Sequence, residues 1–377
     1  MPRSPSTLLR TVGRYGRVKR AVVALTLTLI TAVMSYAAVA TVGPATPAKA
    51  ASADGRAIAA GVDRFGNKYL FWQGTNGTLW EAYYNYYTSE WNGPTNLGMG
   101  ILGSTPTVAI APVQVFTGPG GNLFSGQYVY WEGQNGNLWM TYWNGSWQPP
   151  TDIGMGQLGS EPTASMSSNG EGQVTTNIFW EGGNANIWST HSLSDAPTSA
   201  SDYSAAASAS YNGNEIGPIG SSPDTSTAIS ECFESICSQD DRIVWTGATG
   251  GLWYANYDLT TQTWATGPAR FTPAGEIGGP PSLAAQSHAG DFLYGWQGTN
   301  GYFWEEISTD AISPQSFPAW GKLGSAPTVS EYYANGNATA LVSDIYWVGD
   351  SGNYGIWNAD YTNQNGWVVK DLGMGPI

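Results

Sequence analysis

Apolar and polar positions along this chain recur in one fixed phrase. A short apolar run ends in tryptophan, a Gly- or Asn-rich break follows, and a second tryptophan comes shortly after. The runs are Tyr-Leu-Phe-Trp72, Tyr-Val-Tyr-Trp131, Asn-Ile-Phe-Trp180, Arg-Ile-Val-Trp245, Leu-Tyr-Gly-Trp296 and Asp-Ile-Tyr-Trp347. The second tryptophan lies eight residues on in the first five copies (Trp80, Trp139, Trp188, Trp253, Trp304) and ten on in the sixth (Trp357). Between them sit Asn76-Gly77, Asn135-Gly136, Asn184-Ala185, Gly250-Gly251, Asn300-Gly301 and Ser351-Gly352. Dipeptides of this kind supply the positive φ of a tight hairpin turn, so each pair of Trp-bearing runs reads as two adjacent antiparallel strands.

Two further segments complete the unit. A third Trp-bearing stretch appears at Trp91, Trp147, Trp264 and Trp367, and it leads into Leu/Ile-Gly and then Gly-Ser-x-Pro-Thr or a relative, as at Gly103 to Thr107 and Gly159 to Thr163. A small-residue strand such as Thr107-Val108-Ala109-Ile110 follows. Four short strands per repeat cannot bury both faces of their sheet alone. Yet Leu70 and Phe71, or Val129 and Tyr130, put apolar side chains on both faces, so each sheet must be sandwiched between neighbours. Six copies at this period predict an all-β, six-bladed β-propeller of four-stranded antiparallel blades. The expected blades are 55–102, 103–158, 159–219, 220–277, 278–323 and 324–377. Arg56-Ala57-Ile58-Ala59 aligns with the small-residue strand, so closure is expected between whole blades. Residues 111–126 and 192–213 interrupt the pattern and are expected to be loops.

The first fifty residues belong to a different class. Arg3, Arg10, Arg14, Arg17, Lys19 and Arg20 precede an apolar run from Ala21 to Ala40, and small residues end at Ala48-Lys49-Ala50. That order predicts a cleavable secretory signal peptide over residues 1–50, with an uncleaved anchor as the alternative. Cleavage would leave residues 51–377 as a secreted, extracellular protein. Seven of the 14 Lys and Arg lie before residue 51 and none of the 28 Asp and Glu does. The remainder therefore carries seven cations against 28 anions, a net charge of −21. Nucleic acid and anionic membrane surfaces would be repelled; neutral glycans would not. Cys232 and Cys237, the only cysteines, read as a local disulfide in that compartment.

No catalytic signature stands out. Gly349-Asp350-Ser351-Gly352 matches the local motif of a trypsin-like nucleophile but falls where other repeats have their hairpin turn. No phosphate-binding loop, zinc-protease or dinucleotide motif is present, and neither a cofactor nor a metal is implied. Aromatics are the abundant resource, with 18 Trp and 21 Tyr. The C–H face of a sugar packs on such rings while its hydroxyls seek carboxylates and amides. With the repeated Trp pairs assigned to the core, ligand contacts are expected from neighbouring exposed positions. The carbohydrate-binding candidates are Glu81, Tyr83, Tyr84, Glu132, Tyr142, Trp143, Glu181, Tyr254, Tyr257, Gln297, Glu305 and Glu306.

The unit Trp-x-Gly-x-Asn-Gly-x-Leu-Trp, followed by Trp-Asn-Gly-Pro and Leu-Gly, resembles the repeats of tectonin-like and bacterial fucose-binding propeller lectins. The resemblance covers nearly all of residues 55–377. It implies shallow sugar sites at or between blades, and hence a multivalent, non-catalytic lectin. Six-bladed fungal-type fucose lectins set a repeated arginine on the sugar, and no arginine recurs in register here. A protein-binding propeller, acting as an adhesion module or inhibitor, is the alternative, and a secreted glycoside hydrolase a third reading.

Overall fold

The computed structural model describes residues 56–63, 65–117, 123–168, 173–233, 236–272, 277–285, 292–308, 314–333, 341–350, 355–362 and 366–374. The expected leader, 1–50, lies outside them. Blade one is β1 (Ile58–Val62), β2 (Lys68–Gln73), β3 (Leu79–Asn85) and β4 (Glu90–Asn96). Blade two is β5 (Thr107–Thr117), β6 (Leu123–Glu132), β7 (Leu138–Trp143) and β8 (Thr151–Gly154). Blade three is β9 (Thr163–Ser168), β10 (Val174–Glu181), β11 (Ile187–His191) and β12 (Ala207–Ser208), followed by a small hairpin of β13 (Ser210–Tyr211) and β14 (Asn214–Glu215). Blade four is β15 (Asp224–Phe233), β16 (Ile236–Thr246), β17 (Leu252–Asp258) and β18 (Thr263–Trp264), with β19 (Ala269–Arg270) also pairing with β17. Blade five is β20 (Ser282–Ala285), β21 (Phe292–Gln297), β22 (Phe303–Ile307) and β23 (Gln315–Ser316). Blade six is β24 (Thr328–Tyr333), β25 (Leu341–Val348), β26 (Ile356–Thr362) and β27 (Gly366–Asp371). Every blade is an antiparallel meander continuous in sequence.

Six apolar clusters lie between the six sheets. Phe71 and Leu79 of blade one meet Val129 and Trp131 of blade two. Tyr130 and Met140 of blade two meet Ile178 and Trp180 of blade three. The series continues through blades three and four, four and five, and five and six. It closes where Leu70 and Trp72 of blade one pack with Tyr346, Val348 and Ile356 of blade six. Strands β1, β5, β9, β15, β20 and β24 touch in succession, and β24 returns to β1. The ring is therefore a closed six-bladed propeller, joined between whole blades. Trp72, Trp131, Trp180, Trp296 and Trp347 are almost fully buried. Each removes enough apolar surface that its loss to alanine would cost about 3–5 kcal/mol.

The repeated glycines have a steric origin. In blades one, two, three and five the indole of the second tryptophan lies over the hairpin, where its Nε1 donates to the turn asparagine, as from Trp80 to Asn76 (3.2 Å) and from Trp139 to Asn135 (3.0 Å). A Cβ on Gly182 would come within 2.3 Å of the Trp188 ring, so only glycine fits beneath the indole. The Leu-Gly-Ser linker then stitches blades together. Leu102 donates its N–H to the Gly77 carbonyl of blade one's hairpin (2.8 Å). Gly103 donates to the Glu132 carbonyl of blade two (2.7 Å), and Ser104 Oγ accepts from the Glu132 N–H (3.1 Å). The same pattern recurs at Leu158-Gly159-Ser160.

Both interruptions are more ordered than the sequence suggested. Within 111–126, β5 runs on to Thr117 and β6 starts at Leu123, with Gln114 opposite Ser125 and Phe116 opposite Phe124 across register shifts. Within 192–213, a 3-10 turn (Ala200–Asp202) and the strand β12 carry Tyr203 into the blade interface. At the far end of the β15–β16 hairpin, Cys232 stands opposite Cys237 in the register; their side chains lie outside the described residues.

Candidate functional site

Alternation along β2 and β3 sends Tyr69, Phe71, Glu81 and Tyr83 toward blade two, and Lys68, Leu70 and Tyr84 toward blade six. In blade two, Gln127 pairs with Trp143, and both face back toward blade one. Between these surfaces lies a recess of about 480 Å³. Its walls include Tyr69, Glu81 and Tyr83 from blade one, with Gln127 and Trp143 from blade two. The rim is the β1–β2 turn. There Asp63, itself buried, accepts from Phe65 N–H (2.8 Å), Asn67 N–H (3.0 Å), Asn67 Nδ2 (2.9 Å) and Tyr69 OH (3.2 Å). Four donors on two oxygens hold the turn and keep the carboxylate satisfied.

The rings of Tyr69 and Tyr83 lie 5.1 Å apart. Glu81 Oε2 accepts from Trp147 Nε1 (3.0 Å), and that indole meets Phe71 edge-on. Burial raises the Glu81 carboxyl above its usual range, against the hydrogen bond from Trp147. Burial and nearby Asp63 raise the Tyr83 phenol. The phenols are therefore neutral donors at ordinary pH, beside aromatic faces and a carboxyl group.

Among the described residues, side chains of the chain itself occupy the other five interblade positions. Between blades two and three, Tyr142 stacks on Tyr128, and Tyr203 enters with its OH 2.9 Å from Tyr130 OH and 3.2 Å from Met140 Sδ. Between three and four, Tyr257 and Trp264 cover Phe179. Asp241 is buried there and pushed up to about 6 by burial, while Ser165 and Thr227 donate to it. Between four and five, the Arg242 guanidinium lies between the rings of Tyr254 (4.9 Å) and Phe292 (4.1 Å) and donates to Asn256 and Tyr294. Between five and six, Trp320 is stacked on Phe303 and on Trp347. Between six and one, the Lys68 ammonium binds Asp344 (2.7 Å) and Asp360 (3.3 Å).

Of the sequence candidates, Glu81, Tyr83 and Trp143 come together in the recess. The others scatter. Tyr84 packs on Trp91 beneath Lys68 on the blade-six side. Tyr142 and Tyr254 serve other interfaces. Gln297 donates to the Leu323 carbonyl (2.7 Å). Glu132 and Glu181 end β6 and β10, where their backbones receive the linker stitch. Glu305 faces blade six, pushed up to about 7 by burial, and its Oε2 has no hydrogen-bond partner. Glu306 stands opposite Tyr294 on the blade-four side. None is freely exposed, and Tyr257 is buried outright, since the neighbouring blade covers these strands. Sequence reasoning missed Asp63, Asn67, Tyr69 and Gln127. Counting back by twos from the buried strand ends would have put Tyr69 on the face of Phe71, and Gln127 on the face of Trp131.

No family model and no curated protein matches the chain. Solved structures do. The lectin of Aleuria aurantia, in complex with Fucα1-6GlcNAc, matches with a TM-score of 0.60 over 85% of this chain and 97% of that one, at 13% identity. AofleA from Arthrobotrys oligospora gives 0.60 over 85% and 87%, at 12% identity. The BP39L lectin from Burkholderia pseudomallei gives 0.51 over 86% and 99%, at 17% identity. This chain has their fold. At such identities the likeness stops at architecture, and this propeller's chemistry must be read from its own residues.

Proposed function

We propose that this protein is a carbohydrate-binding, lectin-like propeller whose principal sugar site is the recess between blades one and two. The observation carrying the reading is the convergence there of stacking faces (Tyr83, Trp143) with polar groups suited to hydroxyls (Glu81, Gln127, Asn67). Carbohydrate sites need that combination. The lectin fold of the similar structures supports it, and kinship with tectonin-like propellers is part of the same proposal. Multivalency would require sites elsewhere. Among the described residues the other interblade positions hold the chain's own side chains, so the reading is of one principal site.

Binding is favoured over hydrolysis because the Asp63 oxygens, which share the recess with Glu81, are used by four donors that hold the β1–β2 turn, which favours a structural role over that of the second carboxylate a glycosidase needs. Residues 1–50 are taken as a removable leader, which makes the mature chain extracellular. In that setting Cys232 and Cys237, opposite each other across the hairpin, would close a disulfide worth about 2 kcal/mol. N-terminal sequencing and non-reducing mass spectrometry of the exported protein check both statements.

The decisive experiment is a glycan array on the mature protein, followed by titration calorimetry with the best glycan on wild type and on Trp143→Ala. Saturable binding near one equivalent, lost in the variant, is expected. Absence of binding to any glycan, with capture of one protein partner instead, would overturn the reading. Sugar release from aryl glycosides would reinstate a hydrolase.

A further inference from the structure

Three interblade positions share a chemical theme, and the chain answers it differently in one of them. Between blades six and one, the Asp344 and Asp360 carboxyls are met by the chain's own Lys68, which also lies 5.3 Å from the Tyr84 ring. Between blades four and five, the rings of Tyr254 and Phe292 enclose the chain's own Arg242. Arg242 pairs with Asn256 across the second and third strands as Tyr69 pairs with Tyr83. Between blades one and two, carboxyl and ring are again present, in Glu81, Asp63, Tyr69, Tyr83 and Trp143. Here Tyr69 takes the position of Arg242, and Gln127, four residues before Trp131, takes that of Lys68, four before Trp72.

We propose that the recess between blades one and two takes a cationic sugar, a 2-amino-2-deoxyhexose with a free ammonium group, and that the ligand supplies the charge which Lys68 and Arg242 supply at the other two interfaces. This rests on the sugar-binding reading above and specifies its substrate class. The ammonium would lie against Glu81 and over the aromatic faces. A cation over an aromatic face is attracted by the ring's quadrupole, more strongly as water is excluded. A charge-assisted hydrogen bond to a carboxylate is stronger than a neutral one. The sugar ring would fill the remaining volume against Trp143, with Gln127 and Asn67 for its hydroxyls. An acetylated amine loses the charge, and an anionic sugar meets two carboxyls, so both are discriminated against. Asp63 contributes field rather than contact, because its oxygens are already engaged.

The test uses the mature protein and three ligands of one shape: glucosamine, glucose and N-acetylglucosamine, together with their short β-linked oligomers. Calorimetry at constant pH and ionic strength is expected to rank glucosamine roughly tenfold or more above the other two. Glu81→Gln, which keeps an acceptor for Trp147, should erase that preference, so that glucosamine binds the variant no better than glucose or N-acetylglucosamine does. Equal or tighter binding of the neutral sugars to wild type would overturn the cationic-ligand inference while leaving the sugar site standing. A preference that survives Glu81→Gln would overturn it as well. Nα-acetyl-lysine amide binding as tightly as glucosamine would replace it with a lysine side chain of a protein partner. Binding of none of these ligands, with none on a glycan array, would defeat the underlying sugar site instead.

Discussion

Lys68 on the second strand of blade one sets its ammonium 2.7 Å from Asp344 on the second strand of blade six, although 276 residues separate them in the chain. This ion pair sits where the ring joins its two ends. Burial holds the Asp344 carboxyl up, against the pull of Lys68. Burial also pushes Asp360 upward, but its hydrogen bond with Asp344 and the ammoniums of Lys68 and Lys370 overcome it and hold it well below the usual range. The five other interfaces are stitched by a covalent Leu-Gly-Ser-type linker; this one relies on side chains, on the bridge between Arg56 and Ala326 and on Thr328 Oγ1 donating to the Ile58 carbonyl.

Lys68→Met keeps the buried stem and removes the charge. It should leave the buried Asp344 without its cation while Asp360 keeps Lys370, at a cost of about 3–5 kcal/mol. A fall in thermal midpoint at pH 7 is expected, partly recovered on acidification, when the carboxyls can take up protons. An unchanged midpoint would mean that the apolar cluster around Trp72 and Tyr346 closes the ring by itself.

Gly182→Ala tests the origin of the repeat motif. Its new Cβ would meet the Trp188 ring at 2.3 Å, so the indole must leave its place and give up the bond from Nε1 to Asn184. Overpacking of this kind costs about 1–3 kcal/mol. Urea denaturation followed by tryptophan fluorescence should show both the loss of stability and a shifted native emission. Gly183→Ala, at the next residue with open space around it, is the control and should be close to neutral.

The repeat, blade number, strand order and closure were legible because each depends on recurring local chemistry: Trp pairs in all six blades, Gly- or Asn-bearing turns between them, and Gly-Ser-x-Pro linkers or relatives between blades. The site was legible only in part. Glu81, Tyr83 and Trp143 stood out as polar or aromatic residues beside the tryptophans. What sequence could not separate was the recess from the five filled positions, because the fillers come from elsewhere in the chain. Tyr203 arrives from an insertion with no repeat signal, Trp320 from a linker, and Lys68 reaches a partner in blade six. Asp63 and Asn67 were missed because their turn has no counterpart in the Trp phrase.

Tyr203 offers a direct test of that filling. Tyr203→Phe removes the OH that meets Tyr130 and Met140 and should cost about 1 kcal/mol. Tyr203→Ala should cost about 3–5 kcal/mol and open a cavity between blades two and three. Calorimetry with the preferred glycan should still find one site in Tyr203→Phe. A second binding event in Tyr203→Ala would show that the insertion suppresses a latent site.

Glu132 makes stability depend on pH in a direction unusual for a carboxylate. Burial pushes it up to about 7 in the folded protein, while the unfolded chain releases the same proton near 4.5. Between these values the folded state holds more protons than the unfolded state, so stability falls as pH rises from about 4.5 to about 7 and stays low above it. The repeat supplies the physical reason. Gln73 and Gln297 end their second strands at the same position as Glu132, and each donates through Nε2 to a linker carbonyl, Leu102 (2.8 Å) and Leu323 (2.7 Å). An acid in that position can donate only while protonated. Glu132→Gln supplies a permanent donor, so its thermal midpoint should exceed wild type by a few degrees at pH 8 and coincide with it at pH 4. Parallel melting curves across that range, with a constant offset between the two proteins, would show that Glu132 does not titrate in the window and that its strand end is held by the backbone stitch alone.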